Sequence, residues 1–236
     1  MAVDHTNVLV SVVIPCYDRE KYIEAAIDSV LAQEYHPLEI IIVDDGSRDS
    51  SIEIIERFGS AVTLIRQENA GAAAARNTGV RNSLGTFLSF LDSDDLWTDD
   101  KLAKQLDVMT RQPEIDLAFA HAEEFISPEL ADDVANTIRC REGVMPARLP
   151  STILIRREAF LKVGFFDETL TIGEGIDWVA RANDAGIRSV VLPDVLLRRR
   201  LHETNIGRTK KGMRQDYVRV LKAALDRRRQ QQEPSA

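Results

Sequence analysis

The sequence has few cysteines and no segment that would direct it out of the cell or anchor it in a bilayer. Its 236 residues include two cysteines, Cys16 and Cys140, which form neither a disulfide framework nor a metal-ligand spacing. That scarcity favours a reducing compartment. The first residues lack the basic, apolar and small-residue order of a signal peptide, and no apolar run is long enough to cross a membrane. We therefore expect a cytoplasmic protein without a transmembrane segment, and leave association with a membrane surface open.

The chain also lacks an excess of basic residues. It has 38 Asp and Glu against 30 Lys and Arg, a formal net charge of -8. Nucleic-acid affinity rests mainly on basic surface, so we expect no nucleic-acid partner. Acidic residues crowd positions 92–100, and the basic residues near the end are Arg198, Arg199, Arg200, Arg208, Lys210, Lys211 and the run 227–229. This distribution suits a site that holds a metal ion and an anionic ligand together, although the run 227–229 is equally typical of a solvated helix face.

No glycine-rich loop follows the first predicted strand. Val8 to Ile14 is a continuous apolar run typical of a strand buried on both faces, and Pro15-Cys16-Tyr17-Asp18 comes directly after it. A dinucleotide-dependent dehydrogenase would carry Gly-x-Gly-x-x-Gly at this place. A nucleotidyltransferase would carry a glycine-rich, basic loop there. The sequence disfavours both classes.

Strands and helices alternate through the first half of the sequence. After the strand at 8–14, the patterns predict helices over 20–33, 50–58 and 70–82 and strands over 39–43, 61–65 and 86–91. This order predicts an α/β fold with a Rossmann-like, mostly parallel sheet and helices on both faces. Such sheets bind ligands at the carboxyl ends of their strands, where this sequence has polar clusters at 16–18, 44–45 and 92–95.

The second half of the sequence is less regular. Its patterns predict strands over 117–125, 151–155, 190–192 and 195–201, and helices over 101–110, 157–163 and 175–185. Residues 127–146 combine prolines, mixed charge and little periodicity, which indicates a surface loop. Trp97 and Trp178 are expected in the core rather than on a sugar ring. The amphipathic stretch from Tyr217 to Leu225 is suited to packing on its own core or on a partner, such as a second copy of the chain.

Asp92-Ser93-Asp94 is the most informative short motif. It follows the apolar run Phe87 to Leu91 directly. Mg2+ and Mn2+ prefer oxygen ligands and leave room for phosphate oxygens and water, so carboxylates at a strand end suit a cation that bridges a diphosphate. The alternative is an acidic turn in which Asp95 caps a helix beginning near Leu96. We favour the metal site over the cap.

Four sequence blocks occur in a recognisable order and spacing. They are Val12 to Arg19, Val43 to Ser47, Asn69 to Gly79 and Phe90 to Asp95, followed later by Gly164 to Glu168 and Glu174 to Arg181. Together they resemble the inverting family 2 glycosyltransferases of the GT-A fold. The resemblance implies one structural domain, in which residues 1–110 bind a nucleotide sugar and residues 111–236, with a C-terminal helix, form the acceptor side.

The same resemblance implies roles for individual side chains. They are Pro15 and Tyr17 at the nucleoside, Asp44 or Asp45 at the base edge, Arg76 at base or phosphate, Asp92 at ribose or sugar, Asp94 and His202 at the metal, and Arg200 at the phosphate oxygens. Arg200 and His202 stand in an Arg-x-His-x-x-Asn sequence that family members often carry. Each residue also has an ordinary alternative: Tyr17 as a half-buried aromatic, Asp44 and Asp45 as a turn, or Arg76 as a surface residue of a helix.

The general base is the one role for which the sequence departs from the family. The family usually places it in a Glu-Asp pair a few residues before an arginine, but here Gly175 follows Glu174. Asp177 stands three residues beyond Glu174, and on a helix the two would share one face. Glu174 and Asp177 are therefore equal candidates. The alternative is that both only provide favourable negative charge at a helix N-terminus.

The resemblance implies an inverting glycosyltransferase. Its donor would be a UDP-sugar or another nucleoside diphosphate sugar, its cofactor Mg2+ or Mn2+, and its base a carboxylate. The acceptor stays unidentified, since a saccharide, lipid, small molecule or peptide all fit. Gly175 favours a second hypothesis, a slow or non-catalytic protein that binds nucleotide sugars.

Overall fold

A computed structural model of the chain describes residues 8–205 and 214–232. Arg208, Lys210 and Lys211, which belong to the predicted basic end, lie outside the described residues. Within them, no helix has both the length and the apolar character needed to span a bilayer.

Strands and helices alternate along the chain, as the first half of the sequence predicts. The strands are β1 (Val10–Cys16), β2 (Leu38–Asp44), β3 (Thr63–Arg66), β4 (Phe87–Phe90), β5 (Leu96–Trp97), β6 (Leu117–Ile126), β7 (Met145–Ala147), β8 (Leu154–Arg156) and β9 (Ser189–Leu201). The helices are α1 (Ile23–Leu31), α2 (Ser51–Glu56), α3 (Ala72–Arg81), α4 (Lys101–Arg111), α5 (Asp132–Ala135), α6 (Arg157–Val163), α7 (Glu174–Asp184) and α8 (Arg214–Gln232). Two 3-10 turns, Gly59–Ala61 and Pro150–Thr152, complete the described elements.

All nine described strands belong to one sheet. Its order is β3-β2-β1-β4-β8-β6-β9-β5, with β7 paired to β6. The four strands from β3 to β4 are parallel to one another, and β6 is parallel to β9. Since β8 is antiparallel to both β4 and β6, strands β1–β4, β6 and β9 all run in one direction. Their carboxyl ends therefore lie at one edge of the sheet.

The central strands β1 and β4 are buried on both faces, which explains their apolar runs. Successive residues of β1 face opposite sides: Val12 and Ile14 pack into one core with α1, and Val13 packs into the other. Gly79 of α3 lies against Val13, and a Cβ at this glycine would collide with that side chain. Helix α3 can therefore approach β1 closely only because position 79 has no side chain.

Strand β1 extends two residues further than the sequence predicts. Pro15 and Cys16 pair with β2, although the pattern places the strand end at Ile14. Proline lacks an N–H and is poorly tolerated inside a sheet. The last residue of β1 that pairs with β4 is Val13, opposite Phe90. Pro15 therefore lies beyond that ladder, where its missing N–H costs no strand-to-strand hydrogen bond.

The structure corrects several predictions for the second half. Leu96 and Trp97 form a strand against β9, so Asp95 does not cap a helix there; α4 begins only at Lys101. The predicted loop at 127–146 contains α5 and the start of β7. The strand predicted over 151–155 begins as a 3-10 turn, and the two strands predicted over 190–201 are one strand with an irregular register. Trp97 and Trp178 are buried in the core, as predicted.

Candidate active site

The loops that follow the six codirectional strands meet at one edge of the sheet. They carry Tyr17 to Arg19 after β1, Asp45 after β2, Gln67 after β3, Asp92 to Asp95 after β4, Ser127 after β6 and His202 after β9. Such edges are the usual ligand sites of open α/β sheets. The polar clusters named from the sequence therefore lie in one region because of strand direction.

Asp94 and His202 form the centre of this region. The imidazole Nε2 of His202 lies 3.0 Å from Asp94 Oδ2, and Arg19 Nε lies 3.4 Å from the same oxygen. His202 is fully buried, and its Nδ1 is 2.9 Å from Thr204 Oγ1. The ring also packs on Tyr22, with centroids 4.4 Å apart. These contacts fix the orientation of the imidazole toward the acidic motif.

The two carboxyl groups at the end of the motif are driven in opposite directions. Burial works to raise the pKa of Asp94, but the hydrogen bond with His202 and the charge of Arg19 outweigh it, so the pKa lies below its ordinary value. Burial, followed by the negative charges of Asp94 and Asp92, raises the pKa of Asp95 well above its ordinary value. The surroundings thus favour the charged form of Asp94 and disfavour the charged form of the neighbouring Asp95.

Arg76 joins Asp92 to the first turn of α7. Its guanidinium donates to Asp92 Oδ1 at 2.5 Å and to Glu174 Oε1 at 2.7 Å, and the side chain is almost fully buried. Burial works to lower the pKa of Arg76, but the two carboxylates raise it beyond its already high value. Its Nε has no hydrogen-bond partner among the described residues. The structure therefore brings three of the sequence candidates into direct contact.

Asp177 has different partners from Glu174. Its Oδ2 accepts from Arg181 Nε at 2.7 Å, and its Oδ1 lies 3.4 Å from Arg227 of α8. Asp177 is buried between these two arginines, whereas Glu174 meets Arg76. Of the two predicted base candidates, Glu174 is the one connected to the acidic motif.

Gly175 is closed in by a neighbouring proline. It is buried in the first turn of α7, and a Cβ added there would lie 2.8 Å from both Cγ and Cδ of Pro150. That distance is below any real carbon contact of this kind, so an acidic side chain at 175 would require Pro150 to move. The packing of Pro150 therefore leaves no room for the aspartate that the family usually has at this position.

The predicted nucleoside residues lie at the carboxyl ends of β1 and β2, either in the last residues of the strand or directly after it. Pro15 is buried in β1, and Tyr17 is 38% exposed directly after the strand. Asp45 is buried with both oxygens in use, since it accepts from Gln67 Nε2 and from the backbone N–H groups of residues 70 and 71. Asp44 Oδ2 receives weaker backbone donors, at 3.2 and 3.3 Å, and its buried Oδ1 has no partner among the described residues. Asp44 thus retains a free acceptor.

Arg200 lies under the acidic motif. Its Nε donates to the backbone carbonyl of Asp94 at 3.0 Å, and its backbone N–H donates to Asp95 Oδ1 at 2.9 Å. The buried guanidinium also lies 4.8 Å from the ring centre of Phe125 and 5.3 Å from that of Tyr22. In this arrangement Arg200 supports the backbone of the motif, and the phosphate contact implied by the family stays a prediction.

No group of three or more His, Cys, Asp or Glu side chains in residues 8–205 and 214–232 is arranged to hold a metal on its own. Asp94 and His202 nevertheless offer one carboxylate oxygen and one imidazole nitrogen 3.0 Å apart. Mg2+ and Mn2+ sites that act on phosphates commonly use only one or two protein ligands and take the others from phosphate and water. This pair therefore fits a cation bound together with a diphosphate.

Arg19 is a site residue that the sequence reasoning did not single out. Besides contacting Asp94, it donates through Nη1 to the carbonyls of Tyr17 at 3.1 Å and Asp18 at 2.8 Å. Asp18 itself has a positive φ of 49°, which turns the chain sharply after β1. Arg19 is the last residue of the first block of the family resemblance. Its basic side chain three residues beyond the end of β1 was the sequence feature that could have identified it as a site residue.

Comparison with known proteins shows which family and which proteins the chain is similar to. Residues 11–164 match the family model described as "Glycosyl transferase family 2". An uncharacterized glycosyltransferase of Rickettsia prowazekii is 29% identical over 227 residues, covering 89% of this chain and 69% of that protein.

Two solved structures have the same fold. Residues 1–349 of S. aureus TarS in complex with UDP-GlcNAc superpose with a TM-score of 0.75 and 21% identity, over 92% of this chain and 66% of that one. The mannosyltransferase PcManGT from Pyrobaculum calidifontis, in complex with GDP-Man and Mn2+, gives a TM-score of 0.71 and 21% identity, over 93% and 65%. This chain spans 38% of a longer TarS chain. These likenesses confirm the GT-A fold predicted from the sequence.

Proposed function

Because the chain belongs to glycosyl transferase family 2, we propose that it moves a sugar from a nucleoside diphosphate donor, UDP in the first instance, to an acceptor, with inversion at the anomeric carbon. A divalent cation, Mg2+ or Mn2+, is part of the proposal. The acceptor class is left open among saccharides, lipids, small molecules and peptides.

The observation that carries the proposal is the contact between Asp94 and His202 at the carboxyl edge of the sheet. The two side chains are 108 positions apart in sequence, yet Oδ2 and Nε2 lie 3.0 Å apart beside Arg19. One carboxylate, one imidazole and an adjacent guanidinium supply the ligands and the positive charge that a cation and a diphosphate need. A merely structural acidic turn has no need of a buried histidine aimed at its carboxylate.

Asp94 and His202 would hold the cation. Coordination through Nε2 requires the proton of the neutral imidazole to be on Nδ1, where Thr204 Oγ1 at 2.9 Å can accept it. A bound cation would neutralise charge on the departing diphosphate. Arg19 and Arg76 would stabilise the same charge by donating to phosphate oxygens.

The nucleoside would lie over the ends of β1 and β2. The partly exposed Tyr17 would stack on a base, and the buried Pro15 would support the nucleoside from the end of β1. Asp44 Oδ1 offers a free acceptor for a base N–H, whereas Asp45 would first have to exchange one of its three loop donors. TarS, which has been solved with UDP and with UDP-GlcNAc, supports a uridine donor.

Glu174 would act as the general base. In a single displacement, the acceptor oxygen bonds to the anomeric carbon, the bond to the diphosphate oxygen breaks, and the acceptor proton passes to the carboxylate. We choose Glu174 over Asp177 because Arg76 links it to Asp92, while Asp177 is held between Arg181 and Arg227.

Binding without efficient transfer is the second candidate function. The specific observation in its favour is Gly175, where Pro150 excludes the acidic side chain that the family usually places there. In this case Glu174 would only anchor Arg76. Metal and donor would still bind at the carboxyl edge, and turnover alone separates the two functions.

The test begins with nucleoside diphosphate sugars screened for Mn2+-dependent thermal stabilisation. A UDP-sugar should raise the melting temperature only when the cation is present, and Asp94→Asn should abolish that dependence. Asp107→Asn is the matched control, because Asp107 is an exposed aspartate that pairs with Arg111 on α4. Equal metal-linked stabilisation in Asp94→Asn and wild type would refute the metal role.

Turnover and stereochemistry complete the test. Donor hydrolysis or transfer should be measurable for the wild type and lost in Glu174→Gln, with NMR of the product showing inverted anomeric configuration. Binding with no turnover under any acceptor would establish the second candidate function. Turnover unchanged in Glu174→Gln and lost in Asp177→Asn would transfer the base role to Asp177.

A further inference from the structure

One face of α8 presents an apolar stripe to solvent. The stripe consists of Val218, Leu221 and Leu225, which follow one another at helical spacing and are 63%, 62% and 55% exposed. The opposite face is covered: Val220 is only 3% exposed and packs near Gly173 at the start of α7. Helix α8 is therefore attached to the domain by one face and leaves three adjoining apolar side chains in water. Contiguous exposed apolar side chains of this kind usually mark an interaction surface.

The charge of α8 is opposite to that of the chain. Between residues 214 and 232 there are six basic and two acidic residues, a net charge of +4, while the whole chain carries -8. Both acidic residues have intramolecular contacts, Asp216 with the backbone N–H of Thr171 at 3.2 Å and Asp226 with Arg229 at 4.0 Å. Lys222 is exposed and lies next to the stripe, with no hydrogen bond or ion pair among the described residues. Arg227 is paired with Asp184 and Asp177 of α7, and Arg219 donates to the hydroxyl of Thr169, so Lys222 and Arg219 supply the positive charge that borders the stripe.

We propose that the outer stripe of α8 binds an anionic lipid surface, with the helix lying in the plane of the membrane interface. An exposed apolar face bordered by Lys and Arg is the composition of helices that insert their apolar side chains at the level of the headgroups. The basic side chains meet the negative surface potential of anionic lipids, and this attraction acts within about 10 Å, so the positive charge next to the stripe matters more than the net charge of the whole chain.

A second copy of the chain fits this surface poorly. Two α8 helices facing each other would bring Lys222 and its basic neighbours against the same residues of the other copy, and like charges in an interface are repulsive. The stripe is also only three side chains long, whereas a stable interface buries roughly 800 Å2 on each partner. A lipid surface needs neither charge reversal nor a complementary shape.

The inner face of α8 adjoins the candidate active site. The backbone of Thr171 and Gly173 contacts the first turns of α8, through Asp216 and the ring of Tyr217, and the next residue is Glu174. Binding through α8 would therefore hold the Glu174 side of the sheet edge close to the headgroups. The lipid-binding inference is independent of the proposed function, because it requires neither a donor nor turnover.

Vesicle co-sedimentation tests the inference on the full chain. The wild type should bind vesicles of phosphatidylcholine mixed with phosphatidylglycerol, bind phosphatidylcholine alone far less, and dissociate as salt is added. A Val218→Ser, Leu221→Ser, Leu225→Ser variant and an Arg219→Gln, Lys222→Gln variant should each lose about tenfold or more in partitioning. Leu84→Ser is the matched control, because Leu84 is 79% exposed on another part of the molecule.

Several outcomes would overturn the inference. They are no binding to the mixed vesicles, equal binding of the stripe variant and the wild type, or an equal loss in Leu84→Ser. A concentration-dependent dimer that the stripe variant abolishes would assign the surface to a second copy instead. Circular dichroism of each variant separates lost binding from lost folding, and the charge variant keeps the test decisive if the stripe variant does not fold.

Discussion

Replacing Gly175 by alanine tests whether Pro150 keeps this position free of a side chain. The new Cβ would lie 2.8 Å from Cγ and Cδ of Pro150, and overpacking of this kind costs about 1–3 kcal/mol. Alanine is favoured over glycine inside a helix by about 1 kcal/mol. Since position 175 is the second residue of α7, only part of that gain is realised. We expect the free energy of unfolding to fall by about 1–2 kcal/mol, the difference between the two effects.

A double-mutant cycle isolates the contact. Pro150→Ala removes both carbons that the new Cβ would meet, so in that background Gly175→Ala should be neutral or stabilising. The interaction free energy should be about 1–3 kcal/mol in favour of the double variant. Denaturant unfolding measures each corner of the cycle from the midpoint at constant m-value. In thermal unfolding, the single variant should melt about 2–8 °C below the wild type for a chain of this size.

Two results would refute the steric argument. One is a Gly175→Ala protein as stable as the wild type. The other is the same change in free energy in both backgrounds, which would mean that Pro150 has no part in excluding a side chain. Either result would also weaken the second candidate function, because the argument for it is that Pro150 excludes an acidic side chain at position 175.

Substitutions at positions 175 and 150 also test the source of the general base. Gly175→Asp alone should be destabilised by the clash, while Gly175→Asp in the Pro150→Ala background restores the acidic pair that the family usually carries. If the wild type is slow because this carboxylate is absent, kcat of the double variant should exceed that of Pro150→Ala. Unchanged kcat with intact donor binding would indicate that Glu174 already supplies the base.

Three further predictions follow from buried groups. Burial lowers the pKa of Lys101 well below its ordinary value of about 10.4. The unfolded chain therefore binds more protons than the folded chain, and the free energy of unfolding should rise with pH in the alkaline range, by up to about 1.4 kcal/mol per pH unit. Lys101→Met should remove that slope in urea titrations at several pH values. Burial raises the pKa of the Cys16 thiol to about 12, so a thiol reagent should modify only Cys140 in the native protein and both cysteines in denaturant. Arg76→Met should cost about 3 kcal/mol of stability, measured by denaturant unfolding, because it leaves two carboxylates without their cation; an unaltered midpoint would show that solvent already screens them.

The first half of the fold was predictable because its central strands, β1 and β4, and most of β2 are buried on both faces. A run such as Val8 to Ile14 has no polar alternation to misread, and parallel direction then places every strand end at the same edge. The error at the end of β1 arose at Pro15, since the sequence does not reveal that pairing with β4 stops at Val13. Local patterns identify strands but not the length of each ladder.

The second half was less predictable because its pairings are remote in sequence. Strand β5 has two residues and exists only through pairing with β9. The sequence pattern predicts two strands where the structure has the single strand β9. Residues 192–194, between the two predicted strands, lie at an irregular register against β6, near His121. The periodicity of apolar residues within a window of about ten residues reveals neither the short strand β5 nor the irregular register of β9.

The candidate site also has a part that the sequence predicts by itself and a part that it does not. The acidic motif could be placed at a strand end from sequence alone, but its partners come from far along the chain: His202 is 108 residues from Asp94, and Glu174 is 98 residues from Arg76. Only the family resemblance brought those residues together before the structure did. Even so, it gave Glu174 and Asp177 equal standing, and tertiary contacts with Arg181 and Arg227 were needed to distinguish them.

The ion pairs of the site bear on how a donor and a cation would enter it. Asp94 is paired with Arg19, and Asp92 with Arg76, so each carboxylate already has a positive neighbour. A divalent cation arriving alone at Asp94 would be repelled by Arg19, by about 4 kcal/mol per unit charge at 4 Å and an effective dielectric constant of 20. A diphosphate arriving with the cation would give both arginines new anionic partners, leaving Asp94 to the metal and Asp92 to the sugar. On the proposed function, the arginine pairs therefore make cation binding and diphosphate binding depend on each other.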